Sequence, residues 1–145
     1  MSAGLSLPRE AAISFVINAL LSLTFFLATF GLAARPLAWA MPDRLALDFL
    51  PQSIAVALMS GLVPALLVRR RLAPGTALRP ILSRAGLFAC GGAALGTALA
   101  LASSSLSSPL TWPSALMTKL FYGGALGAFV TFLALRPMAS LRPSR

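Results

Sequence analysis

Residues 11–32, AAISFVINALLSLTFFLATFGL, run for 22 positions without a charged side chain. A bilayer core about 30 Å thick is crossed by about 20 apolar residues in a helix, because each residue rises about 1.5 Å. The stretch therefore predicts a membrane-spanning helix. Its entry, Leu7-Pro8-Arg9-Glu10, puts proline in the first helical turn, where its missing N–H has no intrahelical partner to lose. Gly31 and Arg35-Pro36 close it. A signal peptide competes for the same residues, since Ala38-Trp39-Ala40 has the small-x-small form of a cleavage site. The apolar run is too long for a signal core of about 7–15 residues.

Working outward, three further stretches meet the same length requirement. Residues 50–68 are stopped by Arg69-Arg70-Arg71; residues 81–102 follow the breaks at Pro74-Gly75 and Arg79-Pro80; residues 115–135 end at Arg136-Pro137. The fold class expected is all-α, an integral membrane four-helix bundle forming a single domain over residues 1–145. Composition agrees. Hydrophobic residues make up 58% and charged residues 10%, where a soluble domain carries roughly 25% charged, and the mean hydropathy is +0.87.

Twelve basic residues stand against three acids, Glu10, Asp43 and Asp48, for a net charge of +9. In a soluble chain that balance would suggest nucleic acid. Here the arginines sit at the edges of apolar segments, without the interleaved aromatics of a base-stacking surface, so no nucleic-acid partner is expected. With the N-terminus in the cytoplasm, Arg9, Arg69, Arg70, Arg71, Arg79, Arg84, Arg136, Arg142 and Arg145 fall on the cytoplasmic side, nine of the twelve. Arg35, Arg44 and Lys119 fall opposite, and the Ser-rich linker 103–114 carries no charge. The positive-inside rule then places both termini inside and argues against dual topology.

The halves resemble each other: a helix, an outer linker with Trp and Pro (Trp39 and Pro42; Trp112 and Pro113), then a helix ending in arginine. Setting Arg69 against Arg136 puts Gln52 opposite Lys119 and Val63 opposite Val130, which suggests a duplicated two-helix hairpin with its axis along the membrane normal.

Helices in lipid associate through close backbone approach and interhelical hydrogen bonds. Gly92 and Gly96 in the third helix, and Gly123 and Gly127 in the fourth, each have the small-xxx-small form. These four glycines are expected to pack the third helix on the fourth, with a homodimer seam as the competing use; the GGAALG of the third helix lacks the spacing of a dinucleotide fingerprint. In the first helix Glu10, Ser14, Asn18 and Ser22 recur every four residues, with Thr29 rejoining two turns later. That stripe is expected to face the other helices, or alternatively to line a polar path. Lys119 is the one clear ionisable group deeper than the interface, and it is expected to pair with Asp48 or to snorkel outward. Pro64 inside the second helix frees a carbonyl and should bend that helix.

The inventory also excludes chemistry. Histidine is absent and Cys90 is the single cysteine, which removes Ser-His dyads, His metal ligands, the commonest haem ligand and an intramolecular disulfide. Three acids at helix ends supply no catalytic pair, and Glu10 lies too near the edge for the buried carboxylate of a small proton-coupled antiporter. An enzyme is not expected, nor a cofactor or metal; Trp39, Trp112 and the phenylalanines leave pigment or quinone binding open.

Leu47-Asp48-Phe49-Leu50-Pro51-Gln52-Ser53, followed by Val56-Ala57-Leu58-Met59-Ser60, Leu62-Val63-Pro64 and Arg69-Arg70-Arg71, resembles small uncharacterised inner-membrane proteins of bacteria, as does Ile17-Asn18-Ala19-Leu20. The resemblance covers mainly the first half and implies location and topology, with no activity or site. The function expected is that of a non-enzymatic inner-membrane protein acting by helix packing, as an accessory or assembly subunit of a larger membrane complex or as a small homo-oligomer. The alternative is a small transporter or channel using the first-helix stripe, Gln52, Lys119 and the bend at Pro64.

Overall fold

The computed structural model describes residues 6–72, 75 and 77–138. Arg142, Arg145 and Pro74, used above, lie outside them. Four helices follow one another, α1 (Leu7–Phe30), α2 (Phe49–Leu72), α3 (Leu78–Ser104) and α4 (Trp112–Leu135), with a 3-10 turn at Arg136–Met138. Each is long and apolar enough to cross a bilayer, and 24 residues rise about 36 Å. The chain is a multi-pass, all-α membrane protein.

The helices overrun several of the expected boundaries for local reasons. Pro8 and Pro113 occupy the first turns of α1 and α4. Arg79-Pro80, expected as a break, forms part of the first turn of α3, where the N–H that proline lacks would have had no intrahelical acceptor. Arg69, Arg70 and Arg71 continue α2 as its last turn, a favourable place for cations beside free carbonyls. Gly31 ends α1 at φ 72°, a left-handed conformation that suits glycine, and its N–H bonds to Leu27 O.

The two helices within each half are not the main packing partners. α1 packs on α4, α3 packs on α2, and α2 meets α4 at the centre, while α3 and α4 barely touch. This corrects the expected pairing of the glycine faces. A Cβ on Gly92 would lie 2.5 Å from the Ser53 carbonyl oxygen, and one on Gly96 would lie 2.8 Å from Leu50 Cα, so those glycines bring α3 against the backbone of α2. Gly123 and Gly127 instead receive Ser22 and Asn18 of α1. The physical reason is one of matching volume: α1 presents polar side chains that need space, and the glycines of α4 supply it.

The α1–α2 and α3–α4 linkers carry a two-fold feature. Leu37 N–H donates to Leu110 O at 2.8 Å and Leu110 N–H to Leu37 O at 3.0 Å. Trp39 and Trp112 each follow two residues later. The interfaces correspond as well: Asn18 on Gly127 and Ser22 on Gly123 are matched by Gly92 on Ala57 and Gly96 on Ser53. These contacts equate Ser53 with Gly123, three residues away from the register that set Gln52 opposite Lys119.

An apolar plug closes the linker end of the bundle. Phe26, Phe30, Leu37, Leu45 and Ala115 are buried together, with Trp39 and Trp112 packed against them. The Trp112 indole meets Phe26 edge-on at 5.6 Å and donates to Gly31 O at 3.1 Å. Outside the bundle the order of polarity is inverted relative to a soluble protein: Phe25, Leu87 and Phe121 are 64%, 72% and 69% exposed, while Ser14, Asn18, Ser22, Ser53, Ser60, Lys119 and Thr131 are buried. Lipid is the solvent that suits such a surface.

Candidate intramembrane site

The buried polar residues form two clusters, one above the other along α1. The deeper cluster centres on Asn18. Its Nδ2 lies 2.8 Å from Ser14 O, 3.1 Å from Ser14 Oγ and 3.0 Å from Ser60 Oγ of α2. Thr131 of α4 places its hydroxyl 2.8 Å from Ser14 Oγ and 3.1 Å from Ser60 O. The last contact follows from sequence four residues away. Pro64 has no N–H to give to the carbonyl one turn earlier, which is that of Ser60, and in lipid an unpaired carbonyl must find another donor. Thr131 is that donor. The proline signalled the need; nothing in the sequence around Thr131 marked it as the answer.

Nearer the linkers, Gln52 of α2 bridges the other two helices, its Nε2 donating to Ser22 Oγ at 2.8 Å and to Lys119 O at 3.2 Å. Lys119 is 2% exposed and does not snorkel. Its Nζ lies 2.8 Å from Asp48 Oδ2 and 4.1 Å above the Phe49 ring, and Asp48 is 26% exposed. The ammonium and carboxylate are close but out of line, so Lys119 Nζ makes no aligned hydrogen bond, and no donor among the described residues reaches Gln52 Oε1. Beside them Ser53 Oγ bonds to Phe49 O and to the Tyr122 hydroxyl, and Tyr122 stacks edge-on with Phe49 at 5.1 Å. Ser53, Ser60, Tyr122 and Thr131 were not singled out from sequence. A lone serine or tyrosine in an apolar run carries no periodic signal.

The stripe of α1 holds for Ser14, Asn18 and Ser22, but Thr29 is exposed and the face is continued by Phe26 and Phe30. A spacing of four drifts around a helix of 3.6 residues per turn, and 26 and 30 continue that drift where 29 departs from it. Glu10 is half-buried at the far rim.

α1 and α2 touch through few side chains and stand apart along most of their length. The result is a groove in two adjoining parts. A chamber of about 320 Å³ lies beside Gln52, Asp48 and Lys119, and a wider groove of about 600 Å³ runs past Ser14 to Arg9, Glu10 and Arg71; Asn18, Leu21 and Met59 line both. Among the described residues no three of His, Cys, Asp and Glu come together as a metal site. Trp39 and Trp112 are part of the apolar plug.

Outside the spans, the α1–α2 linker is pinned by Asp43. It pairs with Arg35 at 2.6 Å and accepts the Ala38 N–H at 2.9 Å. The Arg35 guanidinium, then the Ala38 N–H, hold the Asp43 carboxyl below its ordinary range, and Asp43 raises Arg35 in turn.

The chain matches no protein-family model, no curated protein and no solved structure.

Proposed function

We propose that this is a non-enzymatic inner-membrane protein that acts by helix packing, as an accessory or assembly subunit of a larger complex or as a small homo-oligomer. The observation that supports the reading is the use made of the polar interior. Ser14, Asn18, Ser60 and Thr131 bond to one another, and Lys119 is held against Asp48. These groups join three helices. In our reading both ends of the chain are cytoplasmic, the arginine-rich end of the bundle facing anionic lipid and the plug facing outward. Solubilisation in a mild detergent tests the role: co-purification with other membrane proteins, or a defined homo-oligomer, is the expected result, and a strict monomer after cross-linking in the native membrane opposes it. Reporter fusions after residue 145 and within residues 103–108 should report opposite sides.

One observation favours the transporter reading, the groove that runs from Arg9 and Arg71 to Lys119. If the groove is a path, purified protein in vesicles should carry flux of a small anion that Lys119→Gln abolishes while the fold persists.

A further inference from the structure

The chamber between α1 and α2 combines apolar walls with polar atoms whose bonding capacity is not used up. Leu21, Phe25, Val56 and Met59 are among its apolar lining, and its volume of about 320 Å³ falls at the lower end of the usual range for ligand pockets, about 300–1,000 Å³. At Asn18, Leu21 and Met59 it adjoins the 600 Å³ groove. Together the two parts follow α1 from Phe25 to Arg9, and those 16 residue steps make a slot about 24 Å long. A slot of that shape suits an extended apolar chain.

Its polar end is specific. Gln52 Oε1 is buried and meets no donor among the described residues, and Lys119 Nζ, 2% exposed, is paired with Asp48 without an aligned hydrogen bond. Both residues line the chamber. An ammonium offers three donors and uses at most one of them here, while an amide oxygen accepts two. A hydroxyl both donates and accepts, so a ligand hydroxyl suits either the amide oxygen or the ammonium, both of which lie just beneath the chamber wall. Charge selects against other head groups. Asp48 repels a carboxylate or phosphate and Lys119 repels an ammonium, and the pair together is neutral.

We propose that this chamber binds a lipid whose apolar chain ends in a free hydroxyl. The inference goes beyond the packing role and stands or falls apart from it, because it concerns a small ligand rather than a protein partner.

The test uses the full-length protein in phosphatidylcholine nanodiscs and measures the unfolding midpoint as oleyl alcohol, oleic acid, oleylamine or 1-octadecene is added at equal mole fraction. A ligand bound only by the folded state raises that midpoint with concentration. Oleyl alcohol should raise the midpoint in a saturating manner and the other three should not. Gln52→Met should abolish the response. Met59→Trp, on the exposed side of the shared neck, should block the slot without touching the polar cluster and should also abolish it. Equal responses to all four compounds, no response to the alcohol because water alone fills the chamber, or an unchanged alcohol response in Met59→Trp would overturn the proposal. Should Gln52→Met fail to fold, Met59→Trp carries the test alone.

Discussion

Thr131→Val removes one hydroxyl and nearly preserves volume, so its cost isolates the donor that serves the Ser60 carbonyl. Two effects compete in setting the magnitude. Hydrogen bonds between side chains inside membranes average about 0.6 kcal/mol, with a maximum near 1.7, because the unfolded chain in lipid also finds partners. A buried carbonyl left without any donor costs about 1–3 kcal/mol. Here the second effect should dominate, since Pro64 removes the N–H that would otherwise occupy that carbonyl and Ser60 lies 3% exposed. Thr131→Val should therefore destabilise the protein by about 1.5 kcal/mol, near the upper end of intramembrane bonds and in the range of an orphaned carbonyl. The decisive comparison places the same change in a Pro64→Ala background. Alanine restores the N–H to the Ser60 carbonyl, and Thr131→Val should then cost only about 0.6 kcal/mol, the worth of its remaining contact with Ser14. Unfolding in mixed micelles by increasing mole fraction of SDS, run on all four proteins, yields the coupling directly. Equal costs of Thr131→Val in the two backgrounds would refute the argument that the proline creates the need for the threonine.

The remaining predictions rest on burial and contact. Asp48→Asn strands a buried ammonium, whereas Lys119→Met leaves a carboxylate that reaches water. The first should cost more, on the order of 3 kcal/mol, and the double change should cost less than the sum of the two in the same SDS titration. Gly92→Ile drives a branched side chain into the α2 backbone and should cost about 1–3 kcal/mol, while Gly91→Ile, one residue away and facing open space, should be close to neutral in thermal unfolding. The Asp43 carboxyl is held below its ordinary range in the folded protein, so its pairing with Arg35 stabilises fully above the ordinary carboxylate value of about 4 and is lost as pH falls through the lower folded value. Wild type and Asp43→Asn should thus differ in melting temperature near neutral pH and converge in strong acid; because Arg35 is half-exposed the difference should be small.

How far the sequence could be read depended on whether a signal was local. The spans were legible because each is a long uncharged run bounded by arginine, proline or glycine, and hydropathy over some 20 residues is fixed by bilayer thickness alone. The Ser14, Asn18 and Ser22 face was legible because a spacing of four repeats within one helix. Lys119 stood out as the one clear ionisable group deeper than the interface, expected to pair with Asp48 or to snorkel outward, and the structure takes the first of these. What the sequence concealed was pairing between helices. Gly92-x-x-x-Gly96 and Gly123-x-x-x-Gly127 announce close approach without naming the partner, and two similar motifs invite the reading that they meet. They do not, because each glycine pair is complementary to something other than a second glycine pair. Ser53, Ser60, Tyr122 and Thr131 escaped notice for the same reason: each acts through a residue more than 60 positions away, or is the partner of one that does.

The exchange of partners also explains the groove. If each hairpin packed on itself, α1 would lie against α2 and their shared face would be closed. Instead α1 is drawn to α4, whose Gly123 and Gly127 receive Ser22 and Asn18, and α2 is drawn to α3, whose Gly92 and Gly96 receive its backbone. Contact between α1 and α2 is then left to long polar side chains, the Gln52 amide reaching Ser22 and the Asn18 amide reaching Ser60. Two such bridges hold helices at a distance without filling the space between them. The glycines that pack the bundle thus create the slot, and the bridging residues become its lining. A substitution that shortens a bridge, such as Asn18→Ser, should change the slot as well as the stability, because the same side chain sets the separation of α1 from α2 and lines both parts of the cavity.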